Sequence, residues 1–129
     1  IKSILYLTKT LKQKYNIKSK NFLGHSDIAP DRKKDPGEKF PWDDLSKDNL
    51  CHGYNLNKKV LKKFRKIKLN LIEEKIFFKN LYKIGYSRNV KSLSRKNKVT
   101  LTRVFQSRFR QELVNGEIDK ECLLISKNL

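Results

Sequence analysis

Methionine is absent from this chain, acidic residues are scarce, and there are only two cysteines, three prolines and one tryptophan. Initiator methionine is ordinarily trimmed only before a small residue. A chain that begins at Ile1 is therefore expected to be a piece of a longer polypeptide, with a non-standard start codon as the alternative. Cys51 and Cys122 fit no Cys-x-x-Cys metal or redox pattern, so one disulfide and two free thiols both stay open. No apolar run is long enough to cross a membrane. The N-terminal stretch IKSILYLTKTLKQKY is broken by lysine every few positions and lacks the core of a signal peptide, so any export signal would have to lie upstream of Ile1.

The shortage of acid leaves 31 Lys and Arg against 13 Asp and Glu, a formal net charge of +18. Such a balance suggests a nucleic-acid or anionic-surface partner, because clustered cations release counterions from a phosphate backbone. Lysine, asparagine and isoleucine are abundant together, however, and all three have A/T-rich codons. We favour that compositional origin. The most basic stretch, KKVLKKFRKIKLN, places Phe64 among lysines but carries no nucleic-acid motif. It reads better as a linker or short helix whose lysine stems cover apolar surface.

Apolar spacing predicts helices. Ile1, Ile4, Leu5, Leu11 and Tyr15 mark an amphipathic helix over residues 2–15, ended by Asn16. Residues 21–24 read as a strand carrying Phe22 and Leu23 into a core, with His25 at its exit. Pro30, Pro36, Gly37 and Pro41 make residues 26–41 loop. A short helix and linker follow Trp42. Ile72, Ile76, Phe77, Leu81 and Ile84 form one helical stripe closed by Gly85, and Leu101, Val104, Phe105 and Phe109 form a second. Asn115-Gly116 marks a turn, and Asp119 is placed to cap a last helix through Leu123 and Leu124.

All three prolines and the strand-end histidine fall in one short span, GHSDIAPDRKKDPGEKFPWDDL, residues 24–45. A catalytic zinc takes three protein ligands, usually imidazole and sometimes carboxylate, and keeps a fourth position for water. His25 and Asp35, at either end of a proline-stiffened loop, are candidates for two of them. Gly37 lets the loop turn, and Pro30 and Pro36 lower the entropy lost in fixing it. Lys33, two residues before Asp35, would point the same way in an extended segment and steady an oxyanion. For Asp27 and Arg32, pairing across the loop and solvation both stay open. From spacing alone a His-Asp pair is more often structural than metal-binding.

The same run closely resembles the zinc-binding loop of the zinc-dependent N-acetylmuramoyl-L-alanine amidases. The likeness covers residues 1 to about 50. It implies His25 and Asp35 as ligands of Zn2+, Lys33 as the catalytic residue assisting the transition state, and Trp42 as part of the close of the loop. LYKIGYSRN and VTLTRVFQSRFRQELVNGEIDKECLLI further resemble the three-helix peptidoglycan-binding module that follows the catalytic domain in one branch of these enzymes.

The resemblance implies an α/β fragment, the C-terminal part of a mixed-sheet amidase domain, followed by a small three-helix bundle, mostly α overall. Its divisions are residues 1–50 catalytic, 51–68 linker and 69–129 helical module. The implied reaction is hydrolysis of the amide between N-acetylmuramic acid and L-alanine, with peptidoglycan or muropeptide as partner and no membrane span. The module would raise the local concentration of wall.

The family's other zinc-binding histidine and its general base come from segments before the matched part. His52, beside Cys51 in a linker, is no substitute and is expected in solvent. The chain alone is therefore expected to be inactive without a separately supplied N-terminal half, and residues 1–50 are expected either to be poorly ordered or to lean on the helical module or on that half. The implied location is the bacterial cell envelope, the periplasm, with cytoplasm as the alternative. A non-catalytic wall-binding remnant of a split gene and a basic nucleic-acid binder are the competing readings.

Overall fold

Leu61, Phe77, Leu81, Phe105, Cys122, Leu123 and Ile125 meet in the larger of two apolar clusters, and the helices that carry them start and stop at identifiable caps. A computed structural model describes residues 1–86 and 93–129. Seven α-helices are found among them: α1 (Lys2–Tyr15), α2 (His25–Ile28), α3 (Trp42–Lys47), α4 (Lys58–Leu61), α5 (Leu71–Lys83), α6 (Arg95–Phe109) and α7 (Lys120–Asn128). Short 3-10 turns span Ser19–Asn21 and Lys62–Phe64. No helix is long and apolar enough to cross a membrane.

Each predicted helix signal has a visible cause. Asn16 closes α1 in the left-handed conformation at φ 51°, a conformation asparagine tolerates. Asn70 opens α5 with a reciprocal cap: its side chain accepts the Glu73 N–H at 2.9 Å, and the Glu73 carboxylate accepts the Asn70 N–H at 3.1 Å. Gly85, at φ 98°, closes α5. The Gly85 N–H donates to the Tyr82 carbonyl and the Tyr86 N–H to the Leu81 carbonyl, each at 3.0 Å. Asp119 caps α7 by accepting the Cys122 N–H at 2.9 Å. Phe77 packs edge-on against Phe78 and Phe105, with ring centroids 5.3 and 5.2 Å apart. Ile72 is the exception on its predicted stripe, at 71% exposed.

The mixed-sheet expectation is overturned. Among the described residues there is no strand or sheet, and the only β pairing is an isolated antiparallel bridge between Lys68 and Asp119. Residues 22–24 are extended without being a strand, because side chains take the backbone groups a neighbouring strand would need. Arg108 donates to the Phe22 carbonyl at 3.0 Å, and the Gly24 N–H donates to the Asp27 carboxylate at 2.7 Å. Phe22 is half-buried, but Leu23 faces solvent. The likeness of LYKIGYSRN to the module ends in residues 87–89, which lie outside the described residues.

Trp42, Leu45, Leu50 and Cys51 form the second, smaller cluster, against which Ile4, Leu5, Phe22 and Phe40 pack. Both cysteines are buried free thiols, one in each cluster. The basic segment after residue 57 is anchored on α7. Leu61 is buried, and Arg65 grips Glu121 with two hydrogen bonds of 2.6 and 2.8 Å.

Candidate metal centre

Three local features bring the ends of the proline loop together. The Ser26 N–H, in the first turn of α2, donates to the Asp35 carbonyl at 3.0 Å. Within the loop, the N–H groups of Arg32 and Lys33 both donate to the Ala29 carbonyl, at 3.0 and 2.9 Å. Gly24 has no room for a side chain: a Cβ there would stand 2.5 Å from Pro36 Cδ and 3.3 Å from Trp42 Cζ2. The Asp35–Pro36 peptide is cis.

His25 Nδ1 and Asp35 Oδ2 consequently lie 2.5 Å apart, with both side chains open to solvent, at 71% and 59% exposed. The hydrogen bond from His25 holds the Asp35 carboxyl below its ordinary range, and the nearby charge of Lys33 acts in the same direction. Imidazole nitrogen and carboxylate oxygen are zinc donors. Two such atoms on one tetrahedral zinc lie about 3.4 Å apart, given metal–ligand distances near 2.1 Å. The observed 2.5 Å is a hydrogen-bonding separation, about 0.9 Å shorter than that between two zinc ligands. The donor set fits zinc as two of three ligands. Among the described residues no group of three or more His, Cys, Asp and Glu side chains gathers for a metal.

Lys33 lines a cleft between the loop and α6. His52 makes its hydrogen-bond contact elsewhere. It is half-buried rather than in solvent, with Nε2 3.1 Å from the Leu129 carbonyl oxygen.

Asp27 does not pair with Arg32, which lies exposed 3.9 Å from the Asp31 carboxylate. Asp27 is buried instead. Its carboxylate accepts the Gly24 N–H, the Tyr86 hydroxyl at 2.5 Å, and Nη1 of Arg108. The Arg108 guanidinium stacks 4.2 Å above the Trp42 ring, and the Gln111 amide donates to the Phe40 carbonyl at 2.7 Å. Residues of the helical part thus hold the helix that presents His25 and the close of its loop.

Arg108, Tyr86 and Gln111 carry no role in the sequence reading. A signal for Arg108 existed, because it lies three residues beyond Phe105 and seven beyond Leu101, on the buried side of α6. A charged residue there demands a buried counter-charge.

The chain is similar to two curated amidases. The chain is 29% identical over 129 residues to N-acetylmuramoyl-L-alanine amidase AmiD of Escherichia coli (strain K12), covering 100% of this chain and 46% of that protein. It is 49% identical over 39 residues to 1,6-anhydro-N-acetylmuramyl-L-alanine amidase AmpD of Enterobacter cloacae, covering 30% of this chain and 21% of AmpD. The chain therefore spans less than half the length of these curated relatives.

Among solved structures, E. coli AmiD in complex with the substrate anhydro-N-acetylmuramic acid-L-Ala-D-gamma-Glu-L-Lys matches with a TM-score of 0.82 and 27% identity, over 99% of this chain and 49% of that one. AmpDH3 of Pseudomonas aeruginosa in complex with anhydromuramic pentapeptide matches with a TM-score of 0.79, also at 27% identity, over 99% of this chain and 50% of that one. No family model matches the chain.

Proposed function

The chain belongs to the N-acetylmuramoyl-L-alanine amidase family, of whose members it spans a part, and from that premise we propose that it contributes to hydrolysis of the amide joining N-acetylmuramic acid to L-alanine. The observation that carries the proposal is the convergence of His25 Nδ1 and Asp35 Oδ2 across the proline loop. His25 and Asp35 would hold a Zn2+ ion. When bound, the ion supplies Lewis-acid polarisation of the amide carbonyl and an acidified water. Lys33 acts on the substrate itself, its ammonium steadying the negative charge that develops on the carbonyl oxygen. The substrate class is anhydro-muropeptide or wall peptidoglycan, and the working location is the cell envelope.

We further infer the division into residues 1–50, a linker over 51–68 and a helical module over 69–129. The separate apolar cluster around Trp42 supports it. Turnover needs a third metal donor and a general base beyond the described residues. A second reading, a wall-binding chain without turnover, draws its support from the two-donor count.

Release of the L-alanyl peptide from anhydro-muropeptide decides between them, measured with Zn2+ and with or without a polypeptide equivalent to the other half of AmiD. Zinc-dependent release that requires both polypeptides and is lost in Lys33→Ala supports the amidase. Retention on purified sacculi without release from the combined halves supports the binding chain.

A further inference from the structure

Between the proline loop and α6 lies a cleft of about 750 Å³. Arg95, Val99, Arg103 and Ser107 line it at four-residue steps, so one face of α6 forms a wall about 18 Å long at 1.5 Å rise per residue. The facing wall carries Lys33 and Lys34. Pro30, Val104 and Val114 add apolar surface.

What sets these cations apart from other lysines without an ion pair among the described residues, such as Lys9, Lys39, Lys63 and Lys79, is that they face one another across a concavity. Lys58, Lys62, Arg65, Lys98 and Lys120 each have a carboxylate partner. Lys33, Lys34, Arg95, Lys96 and Arg103, which all line the cleft, make no ion pair among the described residues. The two acids of the cleft are Asp31, which lies beside Arg32, and Glu38. Six cations, counting Arg32, against these two carboxylates leave the lining net positive, and facing walls focus that potential into the space between them, which an anionic ligand would relieve.

We propose that this cleft seats the free carboxylates of the stem peptide. The choice of a peptide rests on the amidase reading. In the L-Ala-D-gamma-Glu-L-Lys portion of the AmiD ligand, the γ linkage leaves the glutamate α-carboxyl free, and the C-terminus adds a second carboxylate. An extended tripeptide spans about 10 Å at 3.3 Å per residue, which the α6 wall accommodates. Lys33, assigned to the scissile amide, lines the same cleft, so a substrate held there sends its carboxylates towards the cations of α6 and not into open solvent. Arginine pairs with carboxylates through two parallel N–H donors, and Arg95 and Arg103 are the principal contacts.

The test is metal-free calorimetric titration of the 129-residue chain with L-Ala-D-gamma-Glu-L-Lys. It is set beside the same peptide with both carboxyls amidated and beside the Arg95→Gln/Arg103→Gln double variant, at fixed ionic strength. Exposed charge pairs are each worth about two- to fivefold in affinity, so amidation and the double variant should each raise Kd by about fivefold or more. The diamide, which keeps two ammonium groups and no carboxylate, should show no rise in Kd in the double variant.

Equal Kd for peptide and diamide overturns the proposal, as does an unchanged Kd in a double variant of native helical content, or no binding at millimolar peptide. Tighter binding of duplex DNA that displaces the peptide overturns it too, and makes the cleft a phosphate site. Neither metal nor turnover enters the measurement. A chain that discriminates the two peptides but never binds zinc at His25 keeps the cleft and loses the amidase reading.

Discussion

Replacing Arg108 with methionine removes the charge that Asp27 faces and keeps most of the side-chain volume. The side chains of Arg108 and Asp27 are 4% and 5% exposed, so water screens neither. Breaking a buried pair by deleting one partner costs about 3–5 kcal/mol, because the remaining charge stays buried without compensation. The loss is tempered by the Tyr86 hydroxyl and the Gly24 N–H, which still donate to the Asp27 carboxylate, and deepened by loss of the guanidinium over Trp42.

A net cost of about 4 kcal/mol, with a urea slope of about 1.5 kcal/mol/M, lowers the denaturation midpoint by about 2.5 M. Trp42 is the single tryptophan and lies in the perturbed cluster, so its fluorescence reports the loop while circular dichroism reports the helices. Asp27→Asn in the Arg108→Met background removes the stranded charge and should recover about 1–2 kcal/mol, giving a measurable coupling in the double-mutant cycle. A single variant within 1 kcal/mol of wild type, or a cycle that closes without coupling, refutes the claim that the helical part holds the His25 helix through this pair.

Gly24→Ala would put a Cβ 2.5 Å from Pro36 Cδ and should cost about 1–3 kcal/mol in urea denaturation, relieved in part by Pro36→Ala. Gln106 is fully buried, and its carbonyl accepts the N–H groups of Asn115 and Gly116 at 3.0 and 2.8 Å. Gln106→Leu strands those donors. It should cost about 2–4 kcal/mol and speed amide hydrogen exchange at Asn115 and Gly116 before other sites. Burial pushes the Cys122 thiol up to about 12 from an ordinary 9.0. The folded state holds this proton more tightly than the unfolded chain, so the contribution is intact below pH 9. It falls by about 1.4 kcal/mol per pH unit between 9 and 12, a slope that thermal melts should show and Cys122→Ala should flatten.

The longer helices were legible because they depend on local spacing and caps, whereas the single turn of α2 falls where loop was expected. Asn16, Asn70, Gly85 and Asp119 set their boundaries through the conformations and hydrogen bonds those residue types favour. The closeness of His25 and Asp35 was legible as well, since Gly24, Pro36 and Trp42 fold the segment back locally and bring Asp35 to His25. Long-range pairing was not. Residues 21–24 have the composition of a strand, but whether an extended segment joins a sheet depends on what takes its backbone groups, and here Arg108 and Asp27 take them. The Asp27–Arg32 pairing failed similarly. Sequence proximity suggested a partner within the loop, whereas a buried carboxylate required the guanidinium on α6, more than eighty residues away.

The most direct measurement follows the imidazole nitrogens of His25 and His52 by long-range proton–nitrogen NMR correlation during Zn2+ titration of the 129-residue chain, alongside Asp35→Asn. The account predicts a saturable shift of the His25 nitrogens, an affinity about tenfold weaker or worse in the variant, and a His52 ring that stays unmoved. A His25 ring indifferent to zinc, or one that responds equally with and without the Asp35 carboxylate, contradicts it.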